Sequence, residues 1–395
     1  MNLQPTLFDG ARMGIREAID LTAASLQAHG SAYDHWAVAY SGGKDSTAVL
    51  TVVWHLIRTG RVQAPARLTV SYADTRMELP PLAAAARTIL DMLRAEGVDV
   101  HVVLPPLDDR FFVYMFGRGV PPPTNRFRWC TGQIKVEPME AEVRRLAGSG
   151  KILMLTGVRQ GEGAARDARI ALSCSKDGNE CGQGWYHQSL SPDHCDTLAP
   201  ILHWRVCFVW DWLSGFVEPH GFPTRMVADA YGMGPEGGRV EKNARTGCNG
   251  CPLATKDSAL ENLLRLERYR YLEPLKELRP LYRWLREPAQ RLRKPGRETN
   301  KGGIVRFTDR MGPLTMAARR EGMRRVLDIQ RRVNEARPEG SPGIDTLDAE
   351  EVARIEQLIA ADTWPNRWAG TEPTGDTPFE RVFVDGSKQR EMFGN

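Results

Sequence analysis

No apolar run in the chain approaches the ~20 residues of a membrane-spanning helix, which points away from a membrane protein. The first residues, MNLQPTLFDGARM, contain no apolar stretch of the signal-peptide kind, so a cytoplasmic protein is expected. Charge of one sign is scarce too. The net charge is only +4, so any case for a nucleic-acid partner must rest on where the charge lies. Internal repeats are absent, which excludes solenoids and propellers. Cysteine is not scarce: there are 7. In a cytoplasmic chain these fit metal ligands or catalytic thiols better than disulfides. A length of 395 residues, 42% hydrophobic and 26% charged, suits a globular protein of two domains.

One stretch organises the rest, His35–Leu50, HWAVAYSGGKDSTAVL. Trp36–Tyr40 reads as a buried strand, and Ala48, Val49, Val52, Val53 and Leu56 then recur at helical spacing. Between them lies Ser41-Gly42-Gly43-Lys44-Asp45-Ser46. A strand, a glycine turn and a helix N-terminus make a phosphate cradle, because glycines admit an anion to the backbone and the first helical N–H groups face it. The common P-loop is missing. It needs a Gly separated by four residues from Gly43, and Val38 stands there.

Strands are expected at Arg67–Tyr72, Val98–Leu104 and Lys151–Thr156, and a helix over Pro80–Ala95. A further helix should run from about Gln133 to Leu146, with Pro138 near its first turn. Alternating strands and helices argue an α/β fold with a doubly wound, mainly parallel sheet. Ligands in such sheets bind at the carboxyl ends of strands. That edge would collect Ser41–Ser46, Asp74-Thr75 and Gly157-Val158-Arg159. Residues 1–250 are read as this domain, with a Cys-rich insertion at 173–200. Residues 251–395 are read as a basic α-helical domain with a loosely structured tail from Thr371.

Asp74 and Thr75 can hold a nucleotide ribose or base edge. Arg159 and Arg166 can neutralise a triphosphate and developing charge. Cys130, near Arg126, Arg128 and Lys135 and opening a helix, is expected to favour the thiolate. Cys248 and Cys251 form Gly-Cys-Asn-Gly-Cys-Pro, a pair spaced to chelate one metal or cluster. Cys174 and Cys181 are the expected partners, with Cys195 as an alternate ligand. Sulfur ligation suits zinc or an iron–sulfur cluster. Cys207, in VCFVWDW, reads as core. Leu264–Glu298 holds 11 Lys/Arg against 5 Asp/Glu, interleaved with Tyr269, Tyr271, Tyr282 and Trp284. Arg319, Arg320, Arg324, Arg325, Arg331 and Arg332 follow. Such a stripe either tracks a phosphate backbone or is a solvated helix face over buried aromatics.

YSGGKDS, ADT, RWCTGQIKVEP, GVRQGE and GCNGCP occur in that order, between Tyr40 and Pro252. Together they resemble the phosphoadenosine phosphosulfate reductase family of PP-loop proteins, which share the adenine nucleotide alpha hydrolase-like fold. ATKDSAL, GPLTMAARREGMRRVLDIQ and LDAEEVARIEQLI further resemble the ATP-pyrophosphatase subunit of bacterial DNA phosphorothioation systems (the Dnd and Ssp types). The resemblance implies ATP with Mg2+ as cofactor, an iron–sulfur cluster of the 4Fe-4S kind ahead of zinc, and DNA, a cysteine desulfurase and other phosphorothioation subunits as partners. It places Ser41, Gly42, Gly43, Lys44, Asp45 and Ser46 on pyrophosphate, Cys248 and Cys251 on the cluster, and Cys130 at the reaction centre. Lys44, Asp45, Arg159 and Cys130 make up the expected catalytic set.

The implied reaction adenylates a non-bridging DNA phosphate oxygen, releases pyrophosphate, and lets sulfur displace AMP. Three rivals remain: a sulfonucleotide reductase, a tRNA thiolase and a non-catalytic nucleic-acid-binding module. The reductase needs a nucleophilic cysteine near its C-terminus, and no residue after Cys251 is a cysteine. Because five other cysteines suffice for a cluster, Cys130 is expected to stand outside the metal set.

Overall fold

The structure is a computed structural model. It describes residues 13–162, 167–168, 193–233, 247–294, 297–299, 305–307, 310–378, 380–382 and 388–390.

Helix α1 (Ile15–Gly30) leads into β1 (His35–Tyr40), and the Gly turn carries β1 into α2 (Lys44–Arg58). Next come β2 (Arg67–Ala73), α3 (Pro80–Ala95) and β3 (Asp99–Val103). After a Pro-rich loop, a short helical turn α4 (Trp129–Thr131) and a π-helical turn (Gly132–Val136) run into α5 (Glu137–Ala147). Pro138 sits in the first turn of α5, where its missing N–H costs nothing. The strands β4 (Ile152–Leu155) and β5 (Cys195–Leu198) complete a five-stranded sheet of order β3-β2-β1-β4-β5.

Every pairing in this sheet is parallel. Period-2 alternation along β1 sends Trp36, Val38 and Tyr40 to one face and Ala37 to the other. The first set packs with residues of α1, α2 and α3. Ala37 packs with Met154 and with Val143, Leu146 and Ala147 of α5. Both faces are therefore covered, as a parallel sheet requires. Strand β1 is central, and the chain leaves it to β2 on one side and later adds β4 on the other. The strand order thus reverses at the carboxyl end of β1, where open α/β sheets bind ligands.

Beyond residue 250 the chain is helical at Ser258–Leu264, Leu278–Trp284, Met316–Ala336 and Ala349–Ala360, with a 3₁₀ stretch at Glu267–Glu277. Leu272, Tyr282, Val326 and Ile355 share one hydrophobic core with Val38 and Phe116. Short strand pairs accompany these helices. Arg291–Lys294 (β6) pairs with Arg310–Leu314 (β9), and Arg297–Thr299 (β7) with Val305–Phe307 (β8), both antiparallel. Pro288 and Pro295 bracket a segment too short to make a helix. The tail also holds a strand pair, Glu380–Val382 with Lys388–Arg390. Cys207 is exposed rather than core, because its short helix turns Phe208, Val209 and Trp210 inward instead. Among the described residues no helix is long and apolar enough to cross a membrane.

Candidate active site

The turn after β1 has the geometry of an anion cradle. Gly42 has φ +71°, a conformation that glycine adopts without steric cost. Gly43 is the N-cap of α2 with an ordinary φ of −79°. Ser46 Oγ lies 3.1 Å from Ser41 Oγ and donates to the Gly43 carbonyl at 3.0 Å. The two hydroxyls thereby stand together at the helix N-terminus. The Lys44 N–H faces the hydroxyl of Tyr231 at 3.4 Å, and the Lys44 ammonium lies 5.0 Å from the centroid of that ring. Gly157, after β4, closes in from the other side. A Cβ there would lie 2.8 Å from the Asp45 carbonyl carbon and the Ser46 nitrogen.

Three charges sit under the cradle. Lys44 Nζ reaches Asp45 Oδ2 at 2.8 Å, and Arg159 Nε reaches Asp45 Oδ1 at 2.6 Å. Arg159 also donates to the Trp204 carbonyl at 3.2 Å. Lys44 and Arg159 are only 6% and 5% exposed, so both cations draw on Asp45 for compensation, and Arg159 also has Glu162 at 3.8 Å. Arg166 lies outside the described residues.

At the end of β2, Asp74 and Thr75 are buried. The Arg76 N–H donates to Asp74 Oδ1 at 2.9 Å, and Thr75 Oγ1 donates to Glu78 Oε1 at 2.6 Å. Burial raises the Glu78 pKa. Arg76 has φ +65°, an uncommon conformation for a side chain of its size. Its guanidinium pairs with Asp348 at 2.9 Å and Glu351 at 3.3 Å, tying this strand end to the helix Ala349–Ala360.

The same strand end carries the sulfur site. The Asn249 N–H donates to the Met77 carbonyl at 2.6 Å, which docks the Cys248–Cys251 turn beside Glu78. Gly250 allows that turn with φ +62°, and Asp257 accepts from the Gly250 N–H at 3.2 Å. Arg286 donates to the carbonyls of Pro123 and Pro252, joining the Pro-rich loop before Cys130 to the turn. Cys130, Cys248 and Cys251 come within electrostatic reach of one another, and the buried Tyr282 hydroxyl feels all three.

This grouping corrects two expectations. Burial, with Cys251 nearby, raises the Cys130 pKa and outweighs Arg128. Arg126 and Arg128 point into solvent, so their charge is screened. Cys130 also stands with the cysteine pair rather than apart from it. Cys248 is pushed up to about 12 by burial, then by Glu78, Cys251 and Cys130. Cys195 is not gathered here: it pairs with Ile152 at the opposite end of the sheet, in the apolar cluster under α5. Cys174 and Cys181 lie outside the described residues.

Among the described residues no three His, Cys, Asp or Glu side chains stand close enough to share one metal ion. A multi-iron cluster asks for less, since each thiolate binds its own iron at a separate corner. Three half-buried thiols, with the pKa values of Cys130 and Cys248 raised by burial and by neighbouring cysteines, are sulfur donors of the type such a cluster takes.

The basic stripe resolves into individual roles. Tyr269, Tyr271 and Tyr282 are core. Arg319 is fully buried and donates to the carbonyls of Phe116, Gly117 and Thr363. Arg324 and Arg325 pair with Glu321, and Arg331 and Arg332 with Asp328. The arrangement is mostly a solvated helix face over buried aromatics.

Sequence reasoning missed Tyr231, Glu78 and Asn249. Tyr231 lies 187 residues from Lys44 in the chain and has no local motif. Asn249 lies inside GCNGCP and Glu78 three residues beyond ADT, and only tertiary docking brings them together.

A parallel sheet with a Ser-Gly-Gly-Lys-Asp-Ser turn on its central strand defines a PP-loop, adenine nucleotide hydrolase-like domain. More particularly, residues 35–218 match the Phosphoadenosine phosphosulfate reductase domain, so the chain carries a domain of that kind over this stretch. An uncharacterised protein of Methanocaldococcus jannaschii is 24% identical over 177 residues, which are 44% of this chain and 34% of that protein. The chain thus spans about a third of that relative's length. Two solved structures are also similar. Phosphoadenylyl-sulfate reductase from Candida auris, a phosphate complex, aligns over 54% of this chain and 89% of its own, with 12% identity and a TM-score of 0.34. U34-tRNA thiolase NcsA from Methanococcus maripaludis, with its [4Fe-4S] cluster, aligns over 69% and 76%, with 13% identity and a TM-score of 0.34.

The two cradle glycines differ in what they tolerate. Gly42→Val should destabilise the fold by about 1–2 kcal/mol or more, since the left-handed region disfavours L side chains, and should abolish ATP binding. Gly43→Val meets only Tyr231 and Ser41 oxygens, at 3.5 and 3.7 Å, and should cost less stability. Denaturant melts and ATP titration of both variants check this order. Equal stability of the two would contradict it.

Proposed function

We propose that the chain is an ATP pyrophosphatase that activates a DNA backbone phosphate for sulfur incorporation. One observation carries the reading: a phosphate cradle follows β1, and just beyond the end of the neighbouring β2 the Asn249–Met77 hydrogen bond docks the Cys248–Cys251 turn, with Cys130 in reach of it.

The cradle holds the β- and γ-phosphates of ATP with Mg2+. Lys44 and Arg159 supply charge, and the α2 N-terminus supplies N–H donors. A non-bridging DNA phosphate oxygen attacks the α-phosphorus and pyrophosphate leaves. The outer sulfur of a persulfide, brought by a desulfurase-type partner, then attacks the adenylated DNA phosphorus. AMP leaves with its bonding pair. A second thiol takes the carrier sulfur as a disulfide, and the transferred sulfur stays on phosphorus. The chain's own share is positioning and charge neutralisation. Cys130, Cys248 and Cys251 would hold an iron–sulfur cluster, which when bound supplies a site able to retain or pass sulfur.

A nucleic-acid partner gains support beside Cys130. Phe127 is 51% exposed between the exposed Arg126 and Arg128. An aromatic face between two guanidinium groups suits base stacking and phosphate contact.

Pyrophosphate release from ATP, measured with DNA, with tRNA and with neither, tests the reading. Release stimulated by DNA is the expected result. Stimulation by tRNA alone would transfer the same chemistry to a base carbonyl. No release under any condition would leave the reductase-type reading in its place.

A further inference from the structure

Beside the sulfur site a cleft of about 730 Å³ opens between α3 and the segment Asn334–Thr346. Its volume falls within the roughly 300–1,000 Å³ of small-molecule sites. Asp74 and Glu78 line its inner end, and Arg87 and Arg337 its walls. Asn249, in the middle of the Cys-x2-Cys turn, lines it too. Asn249 is only 3% exposed, and its Oδ1 has no hydrogen-bond partner among the described residues. A buried amide end without a partner is unfavourable, whichever way the amide is turned. The backbone of Asn249 is fixed by its bond to Met77, and the Gly250 N–H is held by Asp257, so the position of Asn249 at the cleft is set by the turn.

We infer that Asn249 is a specificity-determining residue that reads the base of the acceptor nucleotide in this cleft, and that the base is adenine. The inference rests on the proposed DNA reading and names part of its substrate. An amide presents one acceptor beside two donors. That pattern matches the N6 amino group and N7 of adenine, the bidentate pairing that an asparagine amide makes with a base edge in the major groove. Arg87, whose side chain is 63% exposed, and the exposed Arg337 are placed to meet the flanking phosphates. The position of Asn249 beside Cys248 brings the read nucleotide next to the sulfur site.

The test uses the full chain, purified anaerobically, with fluorescein-labelled single-stranded ten-nucleotide homopolymers of each base. Binding is read by anisotropy at fixed salt, and pyrophosphate release is followed in parallel. The wild type should prefer oligo-dA. Asn249→Leu should reduce that preference by about tenfold or more, as loss of a bidentate base contact requires. Asn249→Asp keeps an acceptor and removes the donors. It should shift preference toward oligo-dC, whose N4 amino group it can accept. Arg87→Ala with Arg337→Ala should weaken binding to all four oligomers alike and flatten the salt dependence. Iron content checks that the turn still folds in each variant. An unchanged preference in both Asn249 variants overturns the inference, as does base-selective binding confined to RNA oligomers. DNA-stimulated pyrophosphate release that ignores Asn249 sinks the inference alone. Absence of any DNA-stimulated release in the wild type sinks the reading beneath it.

Discussion

Asp45→Ala should lower the stability of the nucleotide-free protein by about 3–5 kcal/mol, the usual effect of removing one member of a buried ionic group. The reason is the stacking of charge under the cradle. Asp45 is the acid that compensates both Lys44, 2.8 Å away, and Arg159, 2.6 Å away. Their side chains are 8% and 6% exposed, so solvent cannot replace it. Arg159 has further acceptors in the Trp204 carbonyl and, at 3.8 Å, Glu162. Arg159→Met should therefore cost less than Asp45→Ala, because Lys44 still faces Asp45 in that variant. The nucleotide makes the prediction sharper. A triphosphate in the cradle brings its own negative charge to Lys44 and should offset much of the loss. A non-hydrolysable ATP analogue should accordingly raise the melting temperature of Asp45→Ala by more than it raises that of the wild type. Urea melts with and without the analogue measure both effects. A loss below about 1 kcal/mol would mean that the three charges are screened like a surface pair.

The parts legible in the sequence are those that depend on local chemistry. Trp36–Tyr40 is a continuous apolar run, and Ser41–Ser46 can hardly be anything but a turn into a helix. The parallel sheet and the strand-end placement of Asp74 and Gly157 follow from alternating patterns, while the strand order and β5 do not. Less legible were features decided by which residues meet across the fold. The positive charge of Arg159 is evident from GVRQGE, but its engagement with Asp45 requires Gly157 to pass within van der Waals range of the α2 N-terminus. Arginines of Met316–Ala336 look like a free cationic stripe until the i,i+3 and i,i+4 acids at Glu321 and Asp328 are paired with them. The flanking cations made Cys130 look like a thiolate, because sequence shows neighbours in the chain and not burial. Strands β6 and β9 were hidden for a similar reason: RLRK carries no alternation of its own, and Leu292 and Arg293 are both buried there.

Cys130→Ala should lose iron together with Cys248→Ala and Cys251→Ala. Chain position alone argues the other way, since Thr131 follows Cys130 and more than 110 residues separate it from the next cysteine of the group. Folding removes that separation. Trp129, beside it, stacks on Phe111 at 5.2 Å and donates to the Pro121 carbonyl, which seats the α4 turn. The bonds of Arg286 to Pro123 and Pro252 then hold the loop before Cys130 against the Cys248–Cys251 turn. The raised pKa values at Cys130 and Cys248 have a common cause in burial and mutual repulsion, which a bound cationic cluster would relieve. Anaerobically purified wild type should be brown and contain iron, and each of the three variants should be pale. Cys195→Ala should keep the wild-type iron content, because Cys195 lies among apolar side chains at the other end of the sheet. ATP binding should survive in all four, since none of these side chains touches the cradle. Full iron in Cys130→Ala would return that thiol to the role of a separate sulfur acceptor. Stoichiometric zinc without iron in the wild type would make the group a structural site.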